Sequence, residues 1–325
     1  MKDKKLYMIG NAHLDPVWLW NWQEGFQEVK ATFRSALDRM KEDKDFVFTC
    51  SSAAFYEWVE KNNPAMFAEI RKRVEEGRWE LAGGWWIQPD CNIPSGEAFV
   101  RQGLYGQRYF LEKFGKMAVT GYNVDSFGHN GNLPQILKKS GMDNYVFMRP
   151  MPLEKGLPGR IFWWKSMDGS KVMTYRIPYE YCSWGKDLEK YTDRLKCELE
   201  DGEDELMMFY GVGNHGGGPT KENIRSIHEL NGREDMPVME METTENFFRQ
   251  VKNNGKEYPE FIGDLQHHAS GCYSVLSRVK RENRRAEDKL VEAEGWSSIA
   301  KAVEGQPYPE AVSYTHLTLP TKRIV

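Results

Sequence analysis

Short apolar runs of β-branched and aromatic residues alternate along this chain with longer amphipathic stretches, and this alternation restricts the folds open to it more than any other feature. The β-rich runs are 6–9, 46–49, 79–82, 118–122, 145–148, 171–177, 205–210 and 238–242. Helical patterns lie between several of them: 24–41, 65–76 with its stop at Gly77, 96–114, 133–140 ended by Gly141, and 221–230. Strands separated by helices indicate β–α–β units and a parallel sheet. Seven or eight such units predict a closed α/β barrel, and 325 residues are enough for one. After about residue 262 the pattern changes. The stretch 274–299 is charged, strongly helical and without a strand partner, so it is expected to open a following helical domain. Its charge run reads as a solvated face.

The net charge is −4 with the signs mixed along the chain, which gives no reason to expect nucleic acid or an anionic membrane as a partner. No stretch approaches the ~20 apolar residues of a membrane span, and the apolar run near the N-terminus is too short for a secretion signal. Cys50, Cys91, Cys182, Cys197 and Cys272 are odd in number and lack C-x-x-C spacing. They read as free thiols in a reducing compartment, so a cytoplasmic protein is expected. The 11 Trp and 15 Tyr offer rings on which sugars can stack, although most Trp residues simply pack.

Three motifs carry chemistry. Asn11-Ala-His13-Leu-Asp15-Pro-Val-Trp18 follows the first strand directly. At strand spacing His13 and Asp15 point to one side, at the strand exit where barrel enzymes place their sites. An imidazole with a carboxylate suits Zn²⁺ or a similar divalent ion, while a turn with an incidental His explains two residues equally well. Gly121-Tyr-Asn-Val-Asp125-Ser-Phe127-Gly-His129-Asn follows the run 118–122, so Asp125 reaches the same rim from another strand. For an isolated Asp at such a place, a helix cap is the commoner role. In Gln266-His267-His268 the adjacent rings point apart, so at most one joins a shared metal site and the other makes a supporting hydrogen bond. Two His and two Asp from three separated places make a plausible set of four ligands for one zinc ion.

Taken in order, His-Leu-Asp-Pro-Val-Trp, Val-Asp-Ser-Phe-Gly-His-Asn, Phe-Met-Arg149-Pro and Gln-His-His resemble glycoside hydrolase family 38, the α-mannosidases. Gly84-Trp-Trp-Ile-Gln-Pro-Asp90-Cys-Asn92-Ile-Pro-Ser-Gly-Glu97 adds to the likeness. So does Tyr210-Gly-Val-Gly-Asn-His-Gly-Gly-Gly-Pro-Thr220, which resembles the cytosolic and bacterial branch. The resemblance covers residues 4 to about 311. It implies a (β/α)7-type barrel over 1–262, the beginning of a helical bundle over 263–311, and a retaining, metal-dependent α-mannosidase acting on mannose-containing oligosaccharides. His13, Asp15, Asp125 and His268 would hold Zn²⁺, with Co²⁺ as a substitute. Asp125 would be the nucleophile, Trp18 and Phe127 the aromatic floor and wall, and Arg149 the support of the nucleophile carboxylate.

The general acid stays open. Where the family's cytosolic branch carries an aspartate in the glycine-rich segment, this chain has Asn214-His215. Either His215 is the acid, or a carboxylate elsewhere is, with Asp90 one candidate, or the loop merely turns the chain. Two other readings compete. A polysaccharide deacetylase would need a His-x-x-x-His pair, and no two histidines here are four apart. A sugar-binding relic would follow if the acid were absent. Residues 312–325 break from the preceding helical character and match one reading frame of a sequencing-adapter end, so they are expected to be non-native, with His316 excluded as a ligand. Family members run far beyond 325 residues, and this chain is expected to be a fragment, poorly soluble and with little activity alone. A homo-oligomer is left open for the full-length protein.

Overall fold

The computed structural model describes residues 1–185, 187–213, 216–266 and 268–309. The chain opens with β1 (Lys5–Gly10), α1 (Trp22–Glu42), β2 (Phe48–Cys50), α2 (Ala53–Asn62), α3 (Pro64–Glu75) and β3 (Trp79–Leu81). It continues through α4 (Gly96–Phe114), β4 (Thr120–Asn123), α5 (Leu133–Lys139), β5 (Asn144–Phe147), β6 (Ile161–Lys165) and β7 (Lys171–Arg176). The remainder is α6 (Glu189–Glu200), β8 (Glu205–Tyr210), α7 (Lys221–Asn231), β9 (Val238–Met241), α8 (Thr244–Asn253), β10 (Glu260–Ile262), α9 (Ser270–Ser274) and α10 (Ser277–Glu304).

Local chemistry sets the helix ends. Asn21 caps α1 through Glu24 N, Ser95 caps α4 through Ala98 N, and Gly115 ends α4 in the left-handed region that a glycine reaches without strain. Thr220 and Asn223 form a reciprocal capping box on α7.

All eight expected strands are present, as β1, β2, β3, β4, β5, β7, β8 and β9. Two more, β6 and β10, have no counterpart in the sequence reading. β6 runs antiparallel to β7, which breaks the strand–helix alternation, and β10 adds parallel to β6 at the edge. Helices α2, α6 and α8 were likewise not expected. Backbone pairing divides the strands into three sheets, ordered β8-β1-β9, β10-β6-β7-β5-β4 and β2-β3, and does not by itself trace a closed barrel. β2 meets β1 through a single parallel bridge between Asn11 and Thr49. β3 meets β4 through one hydrogen bond from Gly83 N to Thr120 O.

Helix α10 lies against α4. Arg101 forks onto Glu294 at 2.5 and 2.8 Å, and buried Glu287 accepts from Ser95 N. Trp296, Ile299 and Val303 on α10 remain exposed. Among the described residues, no helix is long and apolar enough to cross a membrane. The expected adapter-derived tail, 312–325, lies outside the described residues.

One buried carboxylate ties separate elements together. Glu80 on β3 accepts from the Thr49 hydroxyl (2.7 Å), the Thr244 hydroxyl (2.6 Å) and the backbone N–H groups of Thr244 and Glu245 (both 2.9 Å). Those N–H groups belong to the first turn of α8 and have no partner inside the helix. Glu80→Ala is therefore expected to destabilise the fold by about 3 kcal/mol, because it strands two amides and two hydroxyls in a dry interior. Denaturant unfolding checks this, and a loss below about 1 kcal/mol would mean that α8 is held elsewhere.

His129 is the second buried anchor. Its Nδ1 accepts from the Tyr145 hydroxyl at 2.8 Å, and its Nε2 donates to Arg149 O at 2.8 Å. Burial pushes the imidazole down to about 3, whereas in an unfolded chain it titrates near ~6.5. The unfolded state then takes a proton that the folded state refuses. This group's share of stability is complete above pH ~6.5 and is lost as pH falls toward 3, at up to about 1.4 kcal/mol per pH unit. His129→Gln is expected to flatten that part of the acid-unfolding curve; an unchanged slope would show the ring protonated in the folded protein.

Candidate active site

The site grows from the end of β1. No side chain fits at Gly10, because a Cβ there would stand 2.7 Å from Val47 O. Buried Asn11 then donates to Tyr181 O at 2.8 Å and to Tyr210 O at 3.2 Å, and accepts from the Tyr122 hydroxyl at 3.0 Å. This fixes the chain where it leaves the sheet. Gly25 lets the loop carrying Asp15 close onto α1, since a Cβ there would lie 2.1 Å from Pro16 O.

Two residues beyond Asn11, His13 is 7% exposed. Its Nε2 lies 3.5 Å from Asp15 Oδ1 and 3.8 Å from Asp125 Oδ2. Its ring meets the edge of Tyr181, with centroids 5.0 Å apart. Burial works against the charged imidazole, but the hydrogen bond and charge of Asp15, with the charge of Asp125, raise its pKa above the ordinary value. Asp15 is held from behind, its backbone carbonyl accepting from Trp20 Nε1 at 3.0 Å.

Asp125 arrives from the end of β4 and Arg149 from the end of β5. Arg149 Nε donates to Asp125 Oδ1 at 2.8 Å, and its Nη1 donates to His268 Nε2 at 2.9 Å. Because that histidine nitrogen accepts, Nδ1 carries the proton and donates to Glu154 Oε1 at 2.7 Å. Phe127 lines the same wall, edge-on to His268 at 5.2 Å and under the Arg149 guanidinium at 5.3 Å.

Three of the four expected ligands, His13, Asp15 and Asp125, thus converge, and their one imidazole and two carboxylates suit a divalent cation. His268 is joined to them only through Arg149. Trp18 stands at the mouth, 48% exposed and edge-on to Trp20. Asp90 spends its oxygens on a turn: Oδ1 accepts from the N–H groups of Asn92 and Ile93, and Oδ2 from the Tyr273 hydroxyl. His215 and His267 lie outside the described residues.

Among the described residues, one group of three places all its ligand atoms within 4.8 Å of one another: Asp43, Asp45 and His228. It precedes β2, at the strands' N-terminal ends, away from His13. Sequence reasoning missed Tyr181 and Glu154. Tyr181 follows β7 closely, and the strand-exit rule that selected His13 would have found it. Glu154 sits in a loop without periodicity, and nothing local marks it.

The description of the glycosyl hydrolases family 38 N-terminal domain matches residues 3–264. The chain is 29% identical over 316 residues to alpha-mannosidase 2C1 of Mus musculus, covering 96% of this chain and 30% of that protein. It is 31% identical over 310 residues to alpha-mannosidase G of Dictyostelium discoideum, covering 94% and 28%. The chain therefore spans less than a third of the length of these curated relatives. Its fold matches an alpha-mannosidase from Enterococcus faecalis V583 with a TM-score of 0.80 at 20% identity, over 97% of this chain and 38% of that one. The mixed α/β fold, the strand-exit motifs and this match over most of the chain place the protein in glycosyl hydrolase family 38, as a chain carrying that family's N-terminal domain.

Proposed function

We propose that these residues form the sugar-cleaving site of a retaining α-mannosidase that acts within a longer polypeptide. The observation that carries the reading is the placement of Asp125, a strand-end carboxylate held by Arg149 at 2.8 Å and facing His13 and Asp15. A retaining glycosidase needs a carboxylate that attacks the anomeric carbon while a second group protonates the departing oxygen. Asp125 supplies the first. Arg149 fixes its orientation through that hydrogen bond. The attack gives a covalent mannosyl–enzyme ester, which water then cleaves with the same second group acting as base. His215 is our assignment for that second group. The three hydrogen bonds on Asp90 support a structural role for it instead. Trp18 and Phe127 offer apolar faces to the sugar ring.

His13, Asp15 and Asp125, with His268 as the fourth donor, would hold Zn²⁺ or Co²⁺, which would supply positive charge and Lewis acidity beside the nucleophile. The three sheets are read as arcs of one (β/α)7-type barrel over 1–262. The Asn11–Thr49 bridge, the Gly83–Thr120 hydrogen bond and the 2.8 Å bond from the Tyr175 hydroxyl to Met207 O support closure. Residues 263–311 are read as the beginning of a helical domain. Free thiols at all five cysteines support a cytoplasmic setting.

In the full-length protein, Asp125→Asn is expected to lower hydrolysis of an aryl α-mannoside by several orders of magnitude. An activated fluorosugar should leave a covalent adduct on the Asp125 peptide, read by mass spectrometry. Near-wild-type activity of Asp125→Asn would reject the retaining mechanism. His13→Ala and Asp15→Ala are each expected to abolish retention of zinc through gel filtration, and stoichiometric zinc in His13→Ala protein would remove His13 from the site.

A further inference from the structure

The loop joining β5 to β6 is fastened to its surroundings on both sides of Glu154. Glu154 Oε2 accepts from Met151 N at 2.6 Å, and Glu154 N donates to Met151 O at 2.9 Å, closing a tight turn. The next residue, Lys155, gives its carbonyl to Arg176 Nη1 at 2.8 Å. Lys155 Nζ reaches Asp264 Oδ1 at 3.1 Å and lies 5.7 Å from the centre of the Phe261 ring. Asp264 and Phe261 belong to the segment that leads into His268, so the loop and that segment are latched together. At this latch Glu154 Oε1 accepts a hydrogen bond from His268 Nδ1–H at 2.7 Å.

An imidazole has two nitrogens of unequal use, and the partner of one decides which lone pair the other offers. With Nδ1–H held by a carboxylate, Nε2 must carry the lone pair, and here it faces the Arg149–Asp125 pair. Without that carboxylate the ring is free to place its proton on Nε2, where it would oppose an arginine that can only donate. We propose that Glu154 is a positioning residue, a carboxylate that fixes the tautomer and orientation of His268 so that Nε2 is the nitrogen presented to the site. It rests on the reading of His268 as a metal donor given above and extends it to a residue in a different loop. A carboxylate behind a ligating histidine raises the basicity of the ligand and holds its ring, and its removal typically costs roughly 10- to 100-fold in metal affinity.

The test is a graded series in the full-length protein: wild type, Glu154→Gln, which keeps an acceptor oxygen, and Glu154→Ala, which has none. Zinc affinity is measured by competition with a chelator, and the thermal midpoint of the metal-free protein is followed alongside. Glu154→Ala is expected to bind zinc roughly 10- to 100-fold more weakly, Glu154→Gln by less, with the metal-free midpoint unchanged across the series. Equal affinities in all three proteins would overturn the proposal. A second measurement needs no metal. In metal-free protein labelled with ¹⁵N-histidine, His268 is expected to be protonated at Nδ1 in the wild type and to become a mixture of tautomers in Glu154→Gln. A wild-type ring protonated at Nε2 would equally overturn it. If the wild type takes up no zinc, the metal reading falls, while the tautomer result still decides the role of Glu154.

Discussion

Strand β1 is paired on both edges, in register with β8 from Lys5–Glu205 to Gly10–Tyr210 and with β9 from Lys5–Val238 to Met8–Met241. A slip by one residue would turn each of its side chains to the other face and force two differently packed buried rows to exchange places. Leu6, Met8 and Ile9 have no exposed surface, so that slip is closed off. The register of this strand thereby sets where the chain exits at Asn11 and the height at which His13 stands. Asn11 continues the constraint with three side-chain hydrogen bonds, and Asp15 is secured by Trp20. Tyr181 and Tyr210 accept from Asn11 through their carbonyls, so the ends of β1, β7 and β8 are tied together beneath the site.

Above that base the arrangement is a matter of charge. Asp15 and Asp125 approach one imidazole from two strands, and Asp125 also meets Arg149. Like charges brought near one another require compensation, which Arg149 supplies in the protein itself. Arg149 is further constrained from its own backbone, because its carbonyl accepts from His129, a ring that burial keeps neutral. The guanidinium is thus aimed by a histidine it never touches with its side chain.

Most of the scaffold could be read from the sequence because alternating β and helical runs leave a periodic signature. The eight expected strands are present and the five helical patterns between them correspond to α1, α3, α4, α5 and α7. Besides α6 and α8, what escaped were elements that interrupt that rhythm. β6 pairs antiparallel inside an otherwise parallel set, and α2 follows β2 after only Ser51 and Ser52. For the site, His13, Asp15 and Asp125 were legible because each directly follows a strand, where direction can be deduced. Arg149 and Phe127 were legible only through the family resemblance. That His268 meets Arg149 rather than the carboxylates depends on a tertiary contact across 119 residues, which no local pattern encodes. Glu154 is invisible for the same reason, since its partner is 114 residues away.

The segment bearing His268 is moored on both sides, upstream by Leu265 paired with His129 and by Asp264 to Lys155, downstream by Tyr273 to Asp90 and by Glu287 to Ser95. Between the moorings, the meeting of His268 with Arg149 is an encounter within one molecule, governed by an effective concentration on the order of millimolar for a short connection. A contact too weak to bring two separate molecules together can then be nearly saturated. The hydrogen bond from the Tyr273 hydroxyl to Asp90 accordingly acts at a distance. By shortening the span around His268 it raises the local supply of imidazole at the site, although neither group touches the ring.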